Sequence, residues 1–133
     1  MAVFNIKTVL EYDVKRVWNI ITDVENYNWR SDLSRTEIVN DTHFIEYAKN
    51  NYPTKFKVTC KKEFERWEFD IDNGNIKGHW TGIFTKNGSN TEIDFTEEVT
   101  AKKFFMRPFL KAYMKNQQNK FISDLEKKLS ENI

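Results

Sequence analysis

With a single cysteine, Cys60, the chain can build neither an internal disulfide nor a cysteine metal site, and a reducing setting is expected. Its two histidines, His43 and His79, lie at no recognised ligand spacing from another His, Cys or carboxylate, so no metal site and no cofactor is expected. There are only two prolines, no internal repeat and no low-complexity stretch, which leaves nothing to divide residues 1–133 into more than one domain. No apolar run reaches membrane-spanning length, and Met1 to Lys7 lacks a basic region followed by an apolar one. A soluble, cytoplasmic protein without stable membrane insertion is expected. The net charge of +1 argues against a dedicated nucleic-acid binder, which needs a clear basic excess to neutralise phosphates. A Gly-rich phosphate loop and a nucleophile motif are also absent. Cys60 follows Phe56 and Val58 in alternation, where a small buried hydrophobe is the better reading.

What the chain has in quantity is rings. Aromatics make up 15% of it, with Phe 11 and Trp 4, more than a core of this size needs. Two readings stand equally open at this point: the rings line a cavity, or they fill the inside of a curved sheet.

Hydropathy periodicity supplies the order of elements. Phe4, Ile6, Thr8 and Leu10 alternate as a first strand. Asp13 is an N-cap for a short amphipathic helix carrying Val14, Val17, Trp18, Ile20 and Ile21, and Val24 to Trp29 reads as a second short helical piece. The period is then mostly two as far as Thr100. Strands are expected at Thr36–Val39, His43–Tyr47, Lys55–Lys62, around Trp67–Ile71, at Ile76–Thr85 and at Thr91–Thr100, with Asn-rich turns at Asp72–Asn75 and Lys86–Asn90. The chain ends in a long helix, with Pro108 near its start. A strand-rich body ending in such a helix needs it as a lid.

Within this frame one residue breaks its own pattern. Glu97 shares an alternation face with Ile93, Phe95 and Val99, where a carboxylate is costly unless it is partnered or wet. It either polarises a bound molecule or meets water or a lysine where the strand bends. Gly78 and Gly82 share a face with Trp80 and Phe84, which makes room beside the indole or marks a bulge. In the final helix Phe105, Met106, Phe109, Leu110 and Tyr113 cluster on one side, opposite Arg107, Lys111 and Lys115. Phe121, Ile122, Leu125 and Leu129 form a stripe rotated away from that cluster, so a bend is expected at Asn116–Asn119, with Tyr113 and Gln117 as polar tips. The basic stripe reads as a solvated face in preference to a contact with an anionic membrane.

The run Asp13 to Trp29, with Val17, Trp18, Asp23, Tyr27 and Trp29 at their spacing, resembles the signature of the polyketide cyclase/dehydrase and lipid-transport group of the START-like, birch-pollen-allergen-like (SRPBCC) superfamily. The likeness continues through Gly78-His79-Trp80-Thr81, Thr91-Glu92-Ile93 and the terminal amphipathic helix, and so spans nearly the whole chain. The resemblance implies an α+β helix-grip fold: a curved antiparallel sheet of about six or seven strands wrapped around the C-terminal helix, with two short helices after the first strand. It also implies a cavity for a hydrophobic or amphipathic small molecule. Its expected walls are Trp29, Phe56, Val58, Trp67, Phe69, Trp80, Phe84, Phe95, Phe109 and Tyr113, with Glu97 and Gln117 as polar contacts. Two alternatives stand beside a binding or carrier role. One is a cyclase- or dehydratase-type enzyme acting on a polyketide-like or aromatic substrate, with Glu97 as general acid or base. The other is a protein-interaction module without a ligand.

Overall fold

The computed structural model describes residues 1–131. Strand β1 (Ala2–Leu10) leads into helix α1 (Val14–Thr22), and β2 (Leu33–Ile38), β3 (His43–Ala48), β4 (Pro53–Lys62), β5 (Arg66–Asp72), β6 (Ile76–Asn87) and β7 (Asn90–Ala101) follow. A 3₁₀ turn at Phe104–Met106 runs into the long helix α2 (Arg107–Leu129). The strands form one antiparallel sheet in the order β1-β7-β6-β5-β4-β3-β2. This is the α+β helix-grip fold, with seven strands.

Local chemistry explains most of the elements. The Asp13 carboxylate accepts the Lys15 N–H at 3.2 Å and starts α1, whose Val14, Val17, Trp18 and Ile21 are buried at helical spacing. Between β6 and β7, Asn87 pairs with Asn90 across the two-residue turn Gly88-Ser89, and Gly88 supplies the positive φ of 62° that such turns demand. The Asn73 side chain accepts from the Asn75 and Ile76 N–H groups at 2.8 and 2.9 Å, closing the turn between β5 and β6.

Three expectations are corrected. Val24 to Trp29 forms turns, not a second helix. Asp23 leaves the helical region at ψ 84°, and Asp23 and Asn26 bond each other side chain to side chain, which competes with helix propagation. Cys60 does not share the inner face with Val58: a bulge between them shifts the register, so that Cys60 pairs with Glu68, and it is half-buried. Finally, α2 is unbroken through Asn116–Asn119 and carries one continuous buried stripe, Leu110, Met114, Gln118, Ile122, Leu125 and Leu129. The polar Gln118 interrupts the hydrophobic pattern of that stripe without interrupting its burial, so the two halves looked rotated when they are one row.

The core lies between the inner face of the sheet and α2, with Ile93 and Phe95 of β7 and Leu125 of α2 fully buried. Gly82 is required there: a Cβ on it would lie 2.6 Å from Cζ3 of the Trp80 indole, which covers it. Gly82→Ala is therefore expected to cost about 1–3 kcal/mol by forcing that ring aside. Urea denaturation with a midpoint equal to the parent's would show that the indole yields freely. On the outer face His79 bridges Asp70 (Nδ1, 2.7 Å) and Glu68 (Nε2, 2.8 Å). Burial works against the imidazolium, but the two carboxylates outweigh it and hold the His79 pKa above its ordinary value.

Candidate functional site

Helix α1 occupies only one end of the concave sheet face. Trp18 packs edge-on against Phe84 with ring centroids 5.0 Å apart, and so plugs that end. At the other end the sheet and α2 diverge, leaving a cavity of about 600 Å³. The space under Tyr113 is thus open and not filled by side chains. A second row, Phe105 in the 3₁₀ turn followed by Phe109, Tyr113, Gln117 and Phe121 on α2, runs beside the buried stripe and lines this space. Phe105 and Phe109 are exposed and form its lip.

Of the residues expected at the site, Trp29, Phe56, Trp67, Phe69, Trp80, Glu97, Phe109, Tyr113 and Gln117 line the cavity. The rings interlock: Phe69 stacks on Trp80 at 4.9 Å, Trp67 meets Phe69 edge-on at 5.0 Å, and Phe44 stacks on Phe56 at 4.9 Å. Val58, Phe84 and Phe95 are not in the cavity wall, which corrects the expectation for those three. Phe84 is held against Trp18 at the plugged end, Phe95 lies fully buried against Trp80 and Phe121, and Val58 packs on the edge of the core. Period-two alternation puts all of these residues on the inner face, but it does not say how far α1 reaches along that face.

Glu97 enters the cavity from β7. Desolvation pushes its carboxyl up to about 7, and nothing opposes that shift: among the described residues no cation and no hydrogen-bond donor meets it. Tyr113 faces it from α2. Desolvation raises the Tyr113 phenol above its ordinary value, the neighbouring Gln117 amide partly offsets this, and the charges of Glu97 and Asp32 add to it.

A second polar group at the site is absent from the sequence-based expectations. Arg30 holds Asp32 through two contacts of 3.0 Å and reaches Glu46 at 3.3 Å, with all three side chains largely buried. Its guanidinium also lies 4.9 Å from the Phe121 ring centroid. Burial opposes its charge, but Glu46 and Asp32 outweigh that and keep Arg30 ionised. Asp32 is lowered, since Arg30 overcomes the effect of burial, whereas burial keeps Glu46 above the usual carboxylate range against the pull of Arg30. The loop bearing Arg30 is held at both ends. Ser31 donates from its N–H and its hydroxyl to Asp124, both at 2.8 Å, and the Thr36 hydroxyl donates to the Val24 carbonyl at 2.9 Å. Glu46 did carry a signal, because it alternates with Phe44 and Ala48 as Glu97 does with Phe95 and Val99. Arg30, in an irregular loop, carried none.

Neither histidine lines the cavity, and among the described residues no group of three His, Cys, Asp or Glu side chains is placed to hold a metal ion. No helix among them is long and apolar enough to cross a membrane.

A family model described as polyketide cyclase/dehydrase and lipid transport matches residues 1–130. The chain belongs to that family. Within this polyketide cyclase/dehydrase and lipid-transport chain the signature positions divide by role, with Val17 and Trp18 buried in the core and Tyr27 and Trp29 at the cavity. Solved structures share its fold at low identity. A START superfamily protein from Mycobacterium smegmatis superposes with TM-score 0.87 at 12% identity, covering 96% of each chain. A conserved protein from Geobacillus kaustophilus gives TM-score 0.85 at 14% identity, over 97% of this chain and 95% of that one. Protein MLL2253 from Mesorhizobium loti gives 0.78 at 11% identity, over 95% of each. No curated protein matches the sequence significantly. The family and the fold are consistent with binding of a hydrophobic ligand.

Proposed function

We propose that this protein binds and carries a hydrophobic or amphipathic small molecule in the space between the sheet and α2. The observation that carries this reading is the ring-lined cavity of about 600 Å³ with an unpartnered carboxyl, Glu97, in its wall. That volume falls within the range of small-molecule sites, and a wall of rings with few polar groups is what an apolar guest with one polar end requires.

Nile red, an uncharged hydrophobic dye, is expected to bind at one equivalent with a blue-shifted emission. Ala48→Trp grows an indole into the cavity wall and is expected to abolish the uptake. Dye binding that survives in Ala48→Trp, or no uptake by the parent protein, would sink the carrier reading.

A second reading, a cyclase- or dehydratase-type enzyme, is favoured by one observation: a lone carboxyl whose pKa is pushed up to about 7 is matched to proton transfer near neutral pH. Native mass spectrometry of the purified protein identifies any molecule that travels with it and whether that molecule leaves unchanged. Release of an unchanged guest supports carriage. Conversion that Glu97→Gln abolishes while the guest still binds supports the enzyme.

A further inference from the structure

The charges around the cavity narrow the chemistry of its guest. We propose that the cavity takes an amphiphile whose polar end is a protonated amine, seated against the Glu97 carboxyl. The inference rests on the carrier reading and names the class of molecule carried.

Four carboxyl groups, from Asp23, Asp32, Glu46 and Glu97, line the cavity against one cation, Arg30, and among the described residues no lysine lines it. Arg30 is not free to receive an anionic head, because Asp32 engages it through two nitrogens and Glu46 through a third contact. A guest carboxylate would therefore meet an excess of carboxyl groups with no unpaired cation to accept it. Glu97 is the reverse case. It is a carboxyl taken out of water with no donor or cation of the protein's own against it. An ammonium group supplies both the missing charge and the missing donors, in a site where such hydrogen bonds are strong. Gln118, 5% exposed, also lines the cavity and makes no side-chain hydrogen bond among the described residues, so its amide is free to pair with the polar end of a guest of either hydrogen-bonding sense and does not itself discriminate. The apolar remainder of the guest has the ring-lined wall that includes Trp29, Phe69 and Trp80 to lie against.

The test is isothermal titration calorimetry near neutral pH with three probes of one shape, 1-naphthylmethylamine, 1-naphthylmethanol and 1-naphthoate. The amine is expected to bind at least ~5-fold tighter than the alcohol, with the carboxylate weakest, as a charge-assisted pair implies. In Glu97→Gln the amine-to-alcohol ratio is expected to fall to about one. A smaller ratio in the parent protein, a ratio that persists in Glu97→Gln, or a carboxylate that binds as tightly as the amine would each overturn the inference. The parent ratio decides the matter even if the variant folds poorly. Failure of all three probes to bind also overturns it, and Nile red then separates the two claims: uptake of the dye leaves the carrier reading standing, and its exclusion removes both.

Discussion

Replacing Phe95 with alanine is expected to destabilise the protein by about 3–5 kcal/mol, the cost of deleting a large ring from a packed interior. Phe95 is fully buried, and its ring meets Trp80 at 4.8 Å, Phe84 at 5.6 Å and Phe121 at 6.2 Å. It therefore joins three bodies at once: the neighbouring strand, the end plugged by α1, and the terminal helix. The Trp80 ring that borders the deletion lies over Gly82, which has no side chain of its own to fill the space left. Urea denaturation followed by tryptophan fluorescence should show a lower midpoint at an unchanged slope. Phe109→Ala is the control, since that ring is 71% exposed at the lip and its loss should stay within about 0.5 kcal/mol. Equal losses in the two variants would contradict the placement of Phe95 behind the cavity wall.

Glu97→Gln is expected to stabilise the protein, and to do so only at higher pH. The folded-state pKa of Glu97 lies above its ordinary value of 4.5, at about 7, because the charged form is desolvated. Below pH 4.5 the group is protonated in both states and contributes no penalty. As pH rises from 4.5 to 7 the unfolded chain gives up the proton first, and stability falls across that window. Above 7 the whole penalty is present. A shift of this size corresponds to about 2–3 kcal/mol once water in the open cavity is allowed for. Glutamine has nearly the same shape and no charge, so denaturation midpoints of parent and variant should coincide near pH 4 and separate near pH 8, with the variant the more stable. A variant no more stable at pH 8 would mean that Glu97 is solvated in the folded protein. A carboxylate that costs stability at a position where glutamine would cost less is what a binding group looks like before its ligand arrives.

Alternation along Thr91–Thr100 put Ile93, Phe95, Glu97 and Val99 on one face, and the strand carries them so. It could not say that Phe95 is covered by Phe121 while Glu97, two residues on, opens into a void. Glu46 was visible to the same argument that singled out Glu97. Its partner Arg30 comes from an irregular loop, where no period relates position to direction. The phase of α2 failed for a related reason. A polar residue in a hydrophobic row reads as the end of the row, yet Gln118 is buried in it because the row passes beside the cavity.

By itself, then, the sequence determined the kind and order of most elements, the inner face of most strands, the family, and Glu97 as a carboxylate out of place in the sheet. These follow from propensities and periods that act within a few residues. The tertiary structure alone decided that α1 stops part-way along the sheet, that a ring-lined space remains beyond it, that Arg30 is already taken by Asp32 and Glu46, and that Glu97 is left without a partner. Those outcomes depend on which side chains from distant parts of the chain meet when the sheet curls around α2, and no local pattern encodes that meeting.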